Sequence, residues 1–555
     1  MMGNFNYLPR TASSAGMSRD LPHVKDTCIM TTRRETIALL AGSAAGALLS
    51  TRFTARAGMD GAMGSAEYPT KPVLPPERRW LAKLGVGLGE EHDYVVDVDG
   101  TLPRGLVGTL YRNGPGLFER NGFSKRTLFD GDGMIRATTF ADGTARFRNR
   151  FVQTQKYQQE NRAGRFLYPT WTTPAPGFFG NLPGFPTRSQ AGVTPVIKNG
   201  TLFAFDEVGN PYGLDPQTLA TTGPVDPYER NDDHQQGPAG YKAHTKTDGE
   251  TGDWVLAGFR GLRNPNLQVL VKDRTGRQIA HTAVPNPRDA YTYYHDFFWA
   301  GRFAVFHLQP AFLSPVPTLM GLRPFADSLT WRPEKGSLLL IVDPAAERPA
   351  MTLEVPASWM WHTVNAYASG NTIIADFVGY DSPDHFLGPD AAIRAIMQGR
   401  EGIAKAPGTL RRFTIDLAAK RARMETVAGG HFEFPTINAA RAGRPYRYGY
   451  VASGTIAQGW FHNGIARIDT ETGAVTDFRF GSDHYVGEPV FAPDPHAAPS
   501  TAEDYGWLLC EVLDGRSEKS FIAIFDAAHL NDGPIARVQL RHHLPMSFHG
   551  WWQAA

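Results

Sequence analysis

Apolar residues recur along this chain in short runs, and many of the runs end in an aspartate followed by a polar turn and a second apolar run. The pattern stands at Tyr212-Gly213-Leu214-Asp215-Pro216-Gln217-Thr218, at Leu340-Ile341-Val342-Asp343-Pro344 and at Phe413-Thr414-Ile415-Asp416-Leu417. It returns at Ile468-Asp469-Thr470-Glu471-Thr472-Gly473 and at Ile524-Phe525-Asp526-Ala527. Asp and Thr stabilise such turns through side-chain bonds to nearby backbone amides. Hairpins recurring without helical periodicity between them predict an all-β fold, a β-propeller; a large β-sandwich is the alternative. Helical stretches are few, Asp390 to Gln398 being the clearest. In a propeller, inner-strand residues from several blades meet on the axis although they are far apart in sequence.

Composition agrees with many short strands. The 555 residues include 58 glycines and 41 prolines with 11% aromatics, which favours turns and strands over long helices. A formal net charge of +1 argues against a nucleic-acid partner, which needs a basic face. The two cysteines, Cys28 and Cys510, provide no disulfide framework, and Cys510 reads as a buried strand thiol in Trp507-Leu508-Leu509-Cys510-Glu511-Val512.

The N-terminal segment reads as a twin-arginine export signal. Thr31-Thr32-Arg33-Arg34-Glu35-Thr36-Ile37 leads into the mildly apolar Ala38 to Leu49, and Ala55-Arg56-Ala57 offers a cleavage site. The apolar stretch falls well short of the roughly 20 residues of a membrane span. Met30 directly precedes the motif, so translation is expected to be able to start there, leaving residues 1–29 outside the product. The predicted organisation is an export signal over 1–57, a linker and proline-rich lead-in over 58–89, and a catalytic propeller over 90–555, with periplasmic localisation.

Four histidines stand in distinctive settings: Lys242-Ala243-His244-Thr245-Lys246, Tyr293-Tyr294-His295-Asp296-Phe297-Phe298, Met360-Trp361-His362-Thr363-Val364-Asn365 and Ser547-Phe548-His549-Gly550. Apolar neighbours suggest rings that face inward, where a bare imidazole costs free energy unless something satisfies it. Neutral imidazoles converging on one point suit divalent iron, zinc, copper or nickel. Asp130 and Asp132 resemble a metal pair, but their flanking glycines favour a tight structural turn.

The chain resembles the carotenoid cleavage oxygenase family, which includes carotenoid, apocarotenoid and lignostilbene dioxygenases. The resemblance rests on six collinear motifs: Pro103 to Pro115 (PRGLVGTLYRNGP), Phe129 to Ile135 (FDGDGMI), Arg148 to Thr154 (RNRFVQT), Phe432 to Asn438 (FEFPTIN), Gly487 to Phe491 (GEPVF) and Ser547 to Gly550 (SFHG). It implies a seven-bladed propeller with ferrous iron on its axis and a small loop and helix cap over the active-site face. It implies His244, His295, His362 and His549 as ligands, with Glu207, Glu433 and Glu488 behind them and His244 lacking such a partner. A carboxylate that accepts a ligand's other ring N–H fixes its tautomer and raises its basicity. The implied reaction cleaves a C=C bond of an apolar conjugated alkene with O₂ to give two carbonyl products. No Gly-x-Gly-x-x-Gly unit or Walker loop suggests a further cofactor.

Departures from the family pattern are Thr245 after the first histidine, Arg136 after the FDGDGMI run and Ala368 after Asn365-Ala366-Tyr367. They bear on substrate rather than on the metal. A carotenoid or apocarotenoid is the expected substrate and a stilbene the alternative, for which Lys156 could hold a phenol oxygen. Phe297, Phe298, Trp359, Trp361 and Phe548 are tunnel candidates by their nearness to the histidines. The apolar stretch Gln309 to Trp331 fits either a buried loop or a rim for peripheral membrane contact. Two other readings stand beside the oxygenase: a calcium-holding propeller hydrolase, which needs oxygen ligands on the axis, and a non-catalytic apocarotenoid-binding propeller.

Overall fold

The aspartates that end apolar runs fold the hairpins expected of them. Asp215 Oδ1 accepts from the amides of Gln217 and Thr218, Asp416 Oδ1 from Ala418 and Ala419, and Asp469 Oδ1 from Glu471 and Thr472, at 2.7–3.2 Å. Asp273, which the sequence pattern did not single out, does the same for Thr275 and Arg277 at 2.9 and 3.1 Å. In each separate four-stranded sheet such an aspartate sits between the third strand and the outermost fourth. A side-chain oxygen in place of a missing backbone acceptor thus sets the outer corner of one blade after another.

The structure is a computed structural model that describes residues 73–555, apart from 178, 182–187, 208, 228–238, 261–265, 289, 347–349 and 498–501. The twin-arginine segment, Cys28 and Met30 lie outside the described residues. Five antiparallel four-stranded sheets follow one another along the chain, over residues 194–224, 239–284, 298–355, 359–428 and 431–479. This is an all-β propeller arrangement. Five separate blades are seen, not seven, because the remaining long strands join in one ten-stranded sheet. The strand Asp93–Gly100 causes the fusion: its first half pairs with Thr144–Phe151 and its second half with Ala536–Gln539. In the same sheet Gly550–Ala554 pairs with Gly108–Leu117, joining the two ends of the described chain.

Neighbouring sheets pack face to face. Val255, Ala257 and Val269 of one blade meet Phe306, Leu308 and Leu340 of the next. Phe298, Val305 and Leu339 in turn meet Ile373, Ala375 and Phe413. Burial on both faces explains why strands such as Leu338 to Val342 read as continuous apolar runs instead of alternating.

A cap of loops and short helices adds a separate apolar cluster. Trp80, Leu84, Leu128, Ile393 and Ile396 pack there with Trp359 and Phe386. Trp80 and Leu84 come from the 3₁₀ segment Pro76–Gly85 in the proline-rich lead-in. The helix expected over 390–398 is a single α turn, Ala392–Ala395, continued by a 3₁₀ turn, Ile396–Gln398. Among the described residues the longest α-helix is instead Gln155–Ala163. Its signals were local: the Thr154 hydroxyl caps Tyr157 N at 3.0 Å, and Gly164 at φ 63° ends it.

Candidate metal centre

Inner strands deliver the four histidines. His244 lies on Ala239–Thr247 and His362 on Trp359–Ser369, while His295 and His549 immediately precede or lie close before Phe298–Ala300 and Gly550–Ala554. Each is the first strand of its blade or an end strand of the ten-stranded sheet. One ligand atom from each of the four buried rings lies within 4.8 Å of the others.

Carboxylates hold three of the rings from behind. Glu207 Oε1 stands 2.6 Å from His295 Nδ1, Glu433 Oε2 2.5 Å from His362 Nδ1, and Glu488 Oε1 2.8 Å from His549 Nδ1. His244 has only Asp296, with Oδ1 at 4.0 Å. A neutral imidazole whose Nδ1–H faces a carboxylate carries a lone pair on Nε2. His244 Nε2 and His295 Nε2 are 2.9 Å apart. Three rings with the N–H engaged outward leave their lone pairs gathered in a buried space with too few protons to share. A cation satisfies this donor set; more hydrogen bonds cannot.

The electrostatics keep most of these rings neutral. Burial pushes His549 down to about 4 and His295 below the usual histidine range, despite Glu488 and Glu207 beside them. His244 falls further, through burial and then the neighbouring imidazoles. For His362 burial also lowers the value, but Glu433 outweighs it and the net shift is upward. Burial alone would raise Glu207, yet Lys242 and His295 hold it below the usual carboxylate range.

Behind two of the glutamates stand cations that sequence reading did not find. Lys242 Nζ bonds Glu207 Oε2, and Arg112 Nη1 donates to Glu488 Oε2 at 2.8 Å. Arg112 also reaches Ser547 Oγ and the carbonyl of Phe548, tying the first family-like motif to the last. Arg136, at the departure noted above, pairs with Glu511 at 3.0 Å.

Two cavities flank the histidines. One, of about 50 Å³, touches His295, His362 and His549 and is walled mainly by Phe129, Trp171, Trp361, Phe434, Trp460 and Phe548. The other, of about 530 Å³, touches His244, His362 and His549 and includes Asp296, Thr363 and Trp551.

Of the proposed tunnel residues, Trp361 and Phe548 line the smaller cavity. Trp359 and Phe297 do not: they are fully buried, Trp359 in the cap core and Phe297 between blades against Phe306. Phe298 borders only the larger cavity. Strand alternation turns most neighbours of a ligand away. Trp361 escapes it because pairing of its strand shifts register between Met360 and Thr363, so that Trp361 and His362 both border the chamber. Lys156 is also absent from the wall; it is fully buried, with Asp132 at 2.7 Å and Glu160 at 2.8 Å. Two carboxylates already occupy the ammonium, so it is not available to a phenol. Asp130 and Asp132 serve structure: Asp130 accepts from Thr172 and Thr173, and Asp132 from Lys156 and Arg120.

Phe434 lies in the FEFPTIN motif but was not singled out as a wall residue. It takes a left-handed φ of 53°, its amide donates to Glu433 Oε2 at 2.6 Å, and its ring sits 5.3 Å from that of His362. A bulky residue there is unusual, and the bond to the glutamate helps hold it.

Comparison with known proteins identifies the family. Residues 87–554 match the family described as retinal pigment epithelial membrane protein. Apocarotenoid-15,15'-oxygenase of Synechocystis is 31% identical over 83% of this chain and 94% of its own length. Lignostilbene-alpha,beta-dioxygenase isozyme III of Sphingomonas paucimobilis is 27% identical, over 83% of this chain and 94% of its own. Isoeugenol monooxygenase of Pseudomonas nitroreducens is 28% identical, over 82% and 94%. The crystal structure of the cobalt-substituted Synechocystis oxygenase superposes with a TM-score of 0.79 at 31% identity, covering 86% of this chain and 99% of that one. With the family matched along nearly the whole propeller, this chain belongs to the carotenoid cleavage oxygenase family.

Proposed function

We propose that this chain is a non-haem Fe(II) dioxygenase that cleaves a C=C bond of an apolar conjugated alkene with O₂, giving two carbonyl products. The observation that carries the reading is the group of four buried histidines, three of them backed by glutamates. Nitrogen donors argue for a transition metal over calcium, which takes oxygen ligands. Apocarotenoids, isoeugenol and lignostilbene, in the names of the relatives, all contain conjugated alkenes. We infer the same class here, with a carotenoid or apocarotenoid first.

Ferrous iron, when bound, supplies the redox-active centre that lets dioxygen react with an alkene. His244, His295, His362 and His549 hold it, and Glu207, Glu433 and Glu488 fix three rings in the Nδ1–H tautomer. Aromatic walls from Phe129, Trp361, Phe434 and Phe548 border the imidazoles and keep water away from a double bond brought beside them. No acid or base is required of the walls.

The ten-stranded sheet is read as two blades clasped by Asp93–Gly100, which brings the propeller to seven. Val316, Met320 and Leu322, around the helix Pro315–Leu319, are 65%, 52% and 73% exposed. They support peripheral contact with a lipid surface holding the substrate. Among the described residues no helix is long and apolar enough to cross a membrane. Export to the periplasm by the twin-arginine route is proposed from Arg33 and Arg34, and a reporter fused to residues 30–57 tests it.

Metal analysis of the purified protein should find iron, and the iron-loaded enzyme in air should yield aldehydes or ketones from a carotenoid or a stilbene. Calcium or no metal, or no carbonyl product from either compound, overturns the proposal. His362→Ala should lose the iron.

A further inference from the structure

Asp206 lines the smaller cavity beside Glu207, although most of that wall is aromatic. The other buried carboxylates of the region each face a cation or a hydroxyl. Glu207 has Lys242, Glu488 has Arg112, Glu433 has His362, Asp296 has Lys246, Asp132 has Lys156, and Asp130 has Thr172 and Thr173. Asp206 has only backbone amides: Gln190 N donates to Oδ2 at 2.5 Å, Glu207 N to Oδ1 at 2.7 Å, and the Ala191 amide also acts on it. Each oxygen keeps acceptor capacity, and no Lys, Arg or His among the described residues forms an ion pair with it. Burial pushes the carboxyl up to about 6.

Gln190, the residue tied to Asp206, lines the same cavity. Its Oε1 is taken by Gly131 N at 2.9 Å, while Nε2 has only a long 3.5 Å bond to the carbonyl of Phe129. The wall of one cavity therefore carries a carboxylate without a cation or hydroxyl partner and an amide whose NH₂ is only weakly engaged. A hydroxyl, which donates once and accepts, matches the couple; a purely hydrocarbon end would leave both desolvated without a partner.

We propose that Asp206 and Gln190 form a hydroxyl-binding subsite, and that the preferred substrate is a conjugated alkene bearing a hydroxyl group at the end held against this wall. The inference rests on the oxygenase reading for the word substrate, but not for the binding it describes. The hydroxyl belongs either to a phenol or to a hydroxylated ring at the end of an apocarotenoid, and the two share the same O–H donor.

Equilibrium quenching of tryptophan fluorescence reads binding without turnover, since Trp171, Trp361 and Trp460 line the chamber. The metal-loaded protein is titrated with 4-hydroxystilbene and its methyl ether, and separately with a 3-hydroxylated apocarotenal and the same compound without the hydroxyl. Wild type should bind the hydroxylated member of one pair about tenfold to a hundredfold more tightly, and whichever pair shows this identifies the source. Asp206→Asn should bring that ratio to within about threefold. Equal affinity in both wild-type pairs overturns the subsite, as does a ratio that Asp206→Asn leaves unchanged. The wild-type comparison stands even if the variant fails to fold. Selective binding without any carbonyl product would defeat the oxygenase reading while leaving the subsite; cleavage without selectivity would do the reverse.

Discussion

Glu433→Gln separates the electrostatic contribution of the site from its architecture. A single oxygen, Oε2, accepts from both His362 Nδ1 at 2.5 Å and Phe434 N at 2.6 Å, while Oε1 has no hydrogen-bond partner. Glutamine with its oxygen in the Oε2 position keeps both bonds and places its NH₂ where Oε1 stood. Only the charge is lost. Removing a carboxylate behind a ligating histidine typically weakens metal binding about 10- to 100-fold, or roughly 1.4–2.7 kcal/mol. Metal-free stability should change less than in Glu488→Gln, because the partner of Glu433 is the neutralisable ring of His362 and no lysine or arginine pairs with it among the described residues. Glu488→Gln behaves differently: it also strands the guanidinium of Arg112, 1% exposed, and breaking such a buried pair costs about 3–5 kcal/mol. Chelator competition measures the first quantity, and thermal unfolding of the metal-free protein the second. Undiminished metal affinity in Glu433→Gln, or a loss of metal-free stability as large as that of Glu488→Gln, would refute the reasoning.

His307 makes a pH-dependent prediction. It is fully buried between Phe377 and Phe413, neither ring nitrogen has a hydrogen-bond partner, and burial pushes it down to about 3. The unfolded chain takes up a proton near pH 6.5 and the folded one does not, so this contribution is complete above that pH and is lost as pH falls towards 3. At pH 5 the loss is about 2 kcal/mol, and His307→Phe should remove it in urea titrations at pH 7.5 and 5. Lys156→Met, which leaves Asp132 and Glu160 without their shared cation, should cost about 3–5 kcal/mol in denaturant unfolding. Val316→Ser with Leu322→Ser should reduce co-sedimentation with lipid vesicles while leaving turnover of detergent-dispersed substrate intact; unchanged sedimentation would remove the lipid-contact proposal.

The blades could be read from the sequence because their corners are local. Each aspartate turn announces itself within a few residues, whether or not the strands it joins meet distant partners. His549 lies in one of the motifs and His244, His295 and His362 could be assigned through the family resemblance as a whole, and the convergence of their rings follows from blade geometry. The chamber wall was less accessible. Trp361 faces it only because of a register shift, and Phe434 only through an uncommon backbone angle. Trp171, Trp460 and Asp206 come from segments outside the motifs. Nearness in sequence to a ligand therefore misplaced Trp359 and Phe297, whose surroundings are decided by cap packing and by the neighbouring blade, while the phenol role offered for Lys156 gives way to Asp132 and Glu160.

The pairing of Gly550–Ala554 with Gly108–Leu117 gives assembly an order. His549 adjoins that strand, Gly550 N donates to Glu488 Oε2 at 2.6 Å, and Arg112 reaches across from the other side of the seam. Closing the circle and supplying the last imidazole are thus one event, so a nascent chain with only the first three in hand can grip an ion weakly at best. Cofactor uptake therefore waits on closure of this seam, and a chain cut short before residue 549 should emerge both open and empty-handed.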